Sequence, residues 1–350
     1  MLWDVFCRVV DHHGDVGVCW RLARELAARG QQVRLSLDDT SALAWMAPDG
    51  APGVRVIAWN DANSLDPGDV VVEAFGCNPP QPFVASMQRT RPPVWINLEY
   101  LSAEAQAASH HGLPSPQLAG PGAGLTKWFF YPGFTAATGG LIREQSLQAE
   151  QASFDRARWL ESQQLGARPG ERIVSLYCYD NPALRQLLYE LDSDATLLLA
   201  TPGHAARQVS RELGEPLRRG GLRAHLLPYL SQHDFDRLLW ASDMNLVRGE
   251  DSFVRAQWAG RPFIWHIYPQ DDGAHAVKLR AFLALYLQGA TPELGDALHA
   301  LSEAWNGLGP WPRRMPPRDA WQAHATRWRS LLWAQSDLVT RLLGFVEEKR

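Results

Sequence analysis

Residues 2–28, LWDVFCRVVDHHGDVGVCWRLARELAA, decide how the rest of the chain is read. Leu2 to Val10 reads as a strand, and Val18 onward reads as a helix. Between them runs the loop Asp11-His12-His13-Gly14-Asp15-Val16-Gly17. Two acidic side chains therefore sit where a first strand ends, the edge at which open α/β sheets bind ligands. Carboxylates there, in place of a phosphate cradle, point to general-base or cation-binding chemistry at a nucleotide-type site. The glycines let the loop turn tightly without a Cβ penalty. A plainer role suits the same pair: acids at a helix start cap it and complement its dipole. Both readings stand at this point.

Working outward, strand and helix patterns alternate. Gly30 follows the first helix, where a left-handed residue is expected. Val33–Leu37, Val54–Trp59, Asp69–Glu73 and Val94–Leu98 read as further strands. Residues 117–124 form a glycine-rich loop. Glu144 to Leu165 is polar and helix-prone, and Gly166 to Gly170 breaks it. A second series follows, with strands at Ile173–Tyr177, Ala195–Ala200, Leu222–Leu227, Met244–Val247 and Phe263–Ile267. Helices are expected at Ala183–Leu191, Asp234–Ala241 and Ser252–Ala259, with Gly260 and Pro262 ending the last. Alternation of this kind implies parallel sheets. The stretch Ala320 to Glu348 reads as one long amphipathic helix. No internal repeat is visible in the sequence.

The expected fold is therefore α/β, with two Rossmann-like doubly wound domains facing a cleft. Residues 1–150 form the first and 151–319 the second, and residues 320–350 pack back on the first. That architecture suits nucleotide-sugar glycosyltransferases of the B type (GT-B) and other two-domain proteins alike, so function must come from the sites.

Bulk composition narrows the field. At 350 residues, the chain is long enough for two ordinary domains. A hydrophobic fraction of 46% and a charged fraction of 21% are those of a globular protein. A net charge of -4 argues against non-specific nucleic-acid binding. The first residues lack the basic and apolar regions of a signal peptide, and no apolar run is long enough to span a bilayer. The four cysteines at 7, 19, 77 and 178 form no Cys-x-x-Cys pair, which suits reduced thiols in a cytoplasmic protein.

A second polar constellation is Arg248-Gly249-Glu250-Asp251-Ser252, between a strand and a helix at the carboxyl edge of the second sheet. Amides at such a helix start favour an anion such as a diphosphate. Arg248 and Ser252 can add donors, and Glu250 or Asp251 can accept from sugar hydroxyls. The alternative is an N-cap at Asp251 or Ser252 with a buried arginine–acid pair. A third group, Tyr177, Tyr179, Tyr229, Gln232 and Phe235, offers faces to stack on a base and an amide to read its edge. Aromatics in such places also serve as core.

Other signals are weaker. Asp192-Ser193-Asp194 matches a metal-binding Asp-x-Asp pattern, yet it precedes its strand and belongs at the amino edge, away from ligand. Gly14-x-x-Gly17 is only part of a dinucleotide fingerprint, and Asp38 after the second strand is a lone candidate for a ribose-binding acid. His266, His275 and the pair His12-His13 lack helical metal spacing. No metal site is expected.

Five segments, WDVFCRVVDHHGDVGVCWRLARELA, VWINLEYLSAE, FFYPGFTAATGGLIRE, YCYDNPAL and LPYLSQHDFDRLLWASDMNLVRGEDSFVRAQWAGRPFIWHIYPQDDGAHAVKL, together resemble the protein-arginine rhamnosyltransferases that modify bacterial elongation factor P. The resemblance implies a GT-B fold, dTDP-β-L-rhamnose as donor, an elongation factor P arginine as acceptor, inversion at the sugar and no metal or other cofactor. By position it assigns Asp11 and Asp15 to the acceptor and Glu250 as a third acid. It assigns Arg248, Asp251 and Ser252 to the donor, and Tyr177, Tyr179, Gln232 and Phe235 to the thymidine pocket. The family pattern more often has Asn and an aromatic at 12 and 13, and Phe at 177 and 229. Two other functions fit parts of the sequence: a sugar-nucleotide binder or transferase with another acceptor, and a dinucleotide-dependent oxidoreductase using Asp38.

Overall fold

The computed structural model describes residues 1–10, 13–270 and 273–350. The chain divides into two compact units, Met1–Leu147 with Ala334–Arg350, and Gln148–Trp333. The first holds strands β1 (Leu2–Cys7), β2 (Gln32–Leu37), β3 (Val54–Ala58), β4 (Val70–Ala74), β5 (Val94–Leu98), β6 (Pro114–Pro116) and β7 (Thr126–Phe130). Their order is β3-β2-β1-β4-β5-β7-β6, and only β6 runs antiparallel to its neighbour. β4 (VVVEA) and β5 (VWINL) are buried along their whole length, as parallel strands covered on both faces must be.

The helix Gly14–Ala28 lays Val18, Leu22 and Leu26 on this sheet. It ends where Gly30 takes a φ of +81°, a conformation costly for any residue with a Cβ. The helix Leu338–Lys349 adds Leu338, Val339, Leu342 and Val346 to the same core.

The second unit holds β8 (Arg172–Leu176), β9 (Thr196–Ala200), β10 (Arg218–Arg219), β11 (Leu222–Leu226), β12 (Met244–Arg248) and β13 (Phe263–His266), in the order β10-β11-β9-β8-β12-β13. Without the edge strands β6, β7 and β10, both sheets run third, second, first, fourth, fifth. The strand order reverses between β1 and β4 in one, and between β8 and β12 in the other. At such a reversal, connections leave toward opposite faces and open a crevice at the carboxyl ends.

Two helical expectations are corrected. The stretch Ala320 to Glu348 is two helices: Arg318–Trp333 stays in the second unit and Leu338–Lys349 belongs to the first. Asp337 starts the latter by accepting the Thr340 amide at 2.9 Å. Glu144 to Leu165 is likewise two short helices, Leu147–Ala152 and Arg156–Ser162, the second capped by Asp155. β6 and β7 were not expected. Among the described residues, no helix is long and apolar enough to cross a membrane.

Candidate active site

The reversal in the second sheet is built from strand ends. Tyr177 follows β8 and donates its amide to the Leu246 carbonyl of β12 at 2.8 Å. Arg248 closes β12 and is 8% exposed. Its guanidinium carbon lies 4.5 Å from the Tyr177 ring centroid and 4.4 Å from that of Tyr179, and Nη2 donates to the Tyr177 hydroxyl at 3.2 Å. A desolvated cation on aromatic faces gains about 2 kcal/mol from the ring quadrupoles. Phe235 meets Tyr177 edge-on at 5.7 Å. Tyr177, Tyr179, Phe235 and Arg248 thus form one contact group.

The turn after β12 needs Gly249, whose φ is +63° and whose carbonyl accepts from Trp265 Nε1 at 2.8 Å. Glu250 is the N-cap of the helix Asp251–Ala259 and makes no side-chain cap bond. Ser252 turns inward. Its hydroxyl donates to the Arg248 carbonyl, and its oxygen accepts the Arg248 amide at 3.1 Å. That hydroxyl closes the strand–helix turn. Gln232 Nε2 reaches Asp251 at 3.5 Å, from the start of the helix Gln232–Ala241. The Arg255–Asp236 pair, at 2.9 and 2.8 Å, locks these two helices together. Tyr229, on the segment between β11 and the helix Gln232–Ala241, is 54% exposed.

His266 was set aside in the sequence for want of metal spacing, and the structure brings it here. It ends β13 in register with Arg248 and meets Tyr179 edge-on at 5.3 Å. Burial first, and the Arg248 charge second, hold its pKa down to about 3, so the ring is neutral at neutral pH. Its place at a strand's carboxyl end was the available signal. Cys178, between the two tyrosines, is pushed up to about 12 by burial and is no thiolate.

In the first unit, Asp15 is 3% exposed in the first turn of the helix Gly14–Ala28. The N-cap position is His13, without a side-chain cap bond. Asp15 reaches back instead, accepting the Val10 amide at 2.9 Å, while Asp38 accepts the neighbouring Val9 amide, also at 2.9 Å. Carboxylates therefore hold two successive amides of the segment leaving β1. Asp11 and His12 lie outside the described residues.

Asp192 and Asp194 stand between the helix Leu184–Leu191 and β9, at the amino edge, where Asp192 pairs with Arg219 at 3.1 Å and Asp194 with Arg318. The Asp-x-Asp is a surface ion-pair motif here.

Against known families, residues 3–347 match the one described as Elongation-Factor P (EF-P) rhamnosyltransferase EarP. The chain belongs to the EarP family. It is an enzyme, a protein-arginine rhamnosyltransferase, which displaces the oxidoreductase reading built on Asp38. The protein-arginine rhamnosyltransferase of Pseudomonas putida is 46% identical over 375 residues, covering 98% of each chain. A solved structure, reported as the structural basis for EarP-mediated arginine glycosylation of translation elongation factor EF-P, matches with a TM-score of 0.68 and 33% identity. It covers 100% of this chain and 99% of that one. MurG of Acinetobacter baumannii matches over 99% of both chains with a TM-score of 0.52 at 14% identity, a likeness of fold alone. The chain thus has the GT-B glycosyltransferase fold.

Proposed function

We propose that this enzyme transfers L-rhamnose from dTDP-β-L-rhamnose to an arginine of translation elongation factor P, inverting the anomeric centre and activating the factor. The family match over residues 3–347, whose description names that factor, supports the acceptor. The observation that carries the donor half is the buried Arg248 guanidinium between Tyr177 and Tyr179 at the strand reversal. A cation at that edge suits a diphosphate, and the rings suit a base. In this reading Tyr179 and Phe235 stack on thymine, Gln232 reads its edge, and Tyr177 and Tyr229 border it. Arg248 and the helix start take the diphosphate. Asp251 orients the sugar and Ser252 holds the turn that presents the amides.

A guanidinium has a pKa above about 12 and no free nitrogen lone pair, so ground-state deprotonation is costly. Carboxylates answer this by binding it, orienting one nitrogen and taking a proton as the bond forms. Asp15 is the base, with Asp11 as orienting partner and Glu250 as a third acid. The arginine nitrogen attacks C1 of rhamnose from the face opposite the diphosphate. The C1–O bond breaks, dTDP leaves with the electron pair, and the nitrogen's proton passes to Asp15. Positive charge and oriented amides at the Arg248 turn stabilise the leaving group, so the reaction is proposed to run without a metal.

Intact-mass analysis of elongation factor P, after incubation with the enzyme and dTDP-β-L-rhamnose, tests this. A gain of one rhamnosyl group is expected, unchanged in excess EDTA. An unmodified factor overturns the acceptor and donor assignment. Loss of activity on chelation, restored by magnesium or manganese, overturns metal independence and returns attention to Asp192 and Asp194.

A further inference from the structure

The strands that lead to Tyr177 and Arg248 at their carboxyl ends start, at the opposite edge of the second sheet, around an open cavity of about 1150 Å³. Arg172 opens β8, Asp243 directly precedes β12 and Pro262 directly precedes β13, and all three line it. The helix Arg156–Ser162, the turn 166–170 and the start of the helix Arg318–Trp333 supply the remaining walls. Every lining residue belongs to the second unit. Small-molecule sites occupy about 300–1,000 Å³, so a ligand of that size has room here. The transfer proposed above makes no use of this cavity.

Five arginines line it: Arg156, Arg168, Arg172, Arg261 and Arg318. Two are paired, Arg156 with Asp243 at 2.8 Å and Arg318 with Asp194. Arg172 feels both pairs and joins neither. Arg318, Asp243 and Asp194 all act on its charge, yet among the described residues no carboxylate comes within 4.0 Å of its guanidinium. Its Nη2 donates to the Met244 thioether at 3.3 Å, a weak acceptor. Burial first, and the Arg318 charge second, pull its pKa down to about 10. It therefore stays charged at neutral pH, with hydration lost and no anion in return. Arg168 and the half-buried Arg261 also lack a carboxylate within 4.0 Å among the described residues. Of the lining acids, Glu171 holds Arg223 at 2.5 Å and Asp243 holds Arg156. Glu161 and Asp319 remain, both exposed, against three unpaired guanidiniums.

We propose that this cavity is a second anion site, one that takes a phosphate group, free or carried on a small molecule, against Arg172. A guanidinium offers a fork of N–H donors that matches phosphate oxygens. The other guanidiniums of the wall come from separate segments, which suits a tetrahedral dianion better than a flat carboxylate. Leu160, Ile173, Pro262 and Trp321 are buried and give the cavity apolar lining, which strengthens the attraction between opposite charges. Glu161 and Asp319 suit the hydroxyls of an ester's organic part. β8 carries the chain roughly 16 Å from Arg172 to Tyr177 at ordinary strand rise. This anion and the nucleotide therefore occupy separate places and bind at the same time.

Calorimetry on the full chain saturated with dTDP tests this, with inorganic phosphate, glucose 1-phosphate and glucose as probes of wild type, Arg172→Gln and Arg261→Gln. Saturation keeps the probes away from Arg248. Phosphate and glucose 1-phosphate should bind, and glucose should not. Tighter binding of glucose 1-phosphate assigns the site to an ester, and equal binding assigns it to the free ion. Arg172→Gln should weaken both by about tenfold or more, the scale of a hydrogen bond to a charged group, with dTDP affinity unchanged. Arg261→Gln should weaken them less. No phosphate binding to the saturated wild type, or equal affinity in wild type and both variants, overturns the site. So does phosphate binding that dTDP abolishes, which would place the anion at Arg248. If Arg172→Gln fails to fold, Arg261→Gln against wild type decides. The inference does not rest on the donor reading: if dTDP does not bind, the Arg248→Met enzyme takes the place of the saturated one.

Discussion

At the reversal of the second sheet, a guanidinium is buried between two tyrosine rings. At the reversal of the first, the Asp15 carboxylate is buried against the backbone leaving β1. The two sheets share one strand order over their first five strands, edge pieces aside. Topology therefore selects the same place twice, and the residues at the strand ends give the two places opposite charge. A cation with aromatic walls suits an anionic nucleotide. A buried carboxylate at a helix start suits a cationic side chain. The sheet supplies position, and a few strand-end residues supply the chemistry.

The sharpest way to break this contrast is to neutralise each charge in turn. Asp15→Asn keeps an oxygen to accept the Val10 amide, so the loop should hold. Rhamnose transfer should fall by about 10²–10⁴, the range for loss of a positioned base, while dTDP affinity stays near normal. Arg248→Met should do the reverse, weakening dTDP and lowering turnover by about 10²–10³, as for loss of one charge-stabilising donor. Mass-based rates and calorimetry on both variants check the pair. Near-normal turnover in Asp15→Asn would remove it from the chemistry.

A smaller effect sharpens the aromatic half. Phe235→Ala removes the ring that meets Tyr177 edge-on. Base stacking is worth roughly 1–3 kcal/mol in single-stranded nucleic-acid binders, so dTDP affinity should fall by about tenfold. Unchanged affinity would make Phe235 a packing residue only.

The smallest effect concerns acid. Folded His266 holds a pKa of about 3 against an ordinary 6.5, so the unfolded chain takes up this proton first. Its neutral burial leaves stability unaffected above about pH 6.5 and erodes it as pH falls toward 3. Urea unfolding across pH 7 to 4 should show a fall in stability that is shallower in His266→Asn, by up to about one proton. Identical slopes would place the acid sensitivity elsewhere.

Much of this was legible because parallel strands buried on both faces announce themselves as short apolar runs. Each strand expected in the two series appears, within about one to three residues at its ends. β6 and β7 were missed for physical reasons. Pro-Ser-Pro has no strand pattern, and Thr126–Phe130 is mostly half-buried at an edge, with no clean alternation to read. The helix break before Asp337 was hidden because amphipathic periodicity continues across it. Glu144, inside a stretch that looked solvated, is 6% exposed and takes Arg21 at 3.2 Å and Arg24 at 3.0 Å. Only a fold that brings residues about 120 positions apart together reveals such a pair.

The sequence by itself determined the α/β alternation, the acid at the first strand end, the arginine at the fourth strand of the second series, and the family. These are local patterns, and local chemistry writes them. Only tertiary structure decided that both sheets reverse at matching places, that Ser252 closes a backbone turn, and that His266 joins Arg248 and Tyr179. A side chain's partner depends on which strand lies next to its own, and strand order is set by the packing of the whole sheet.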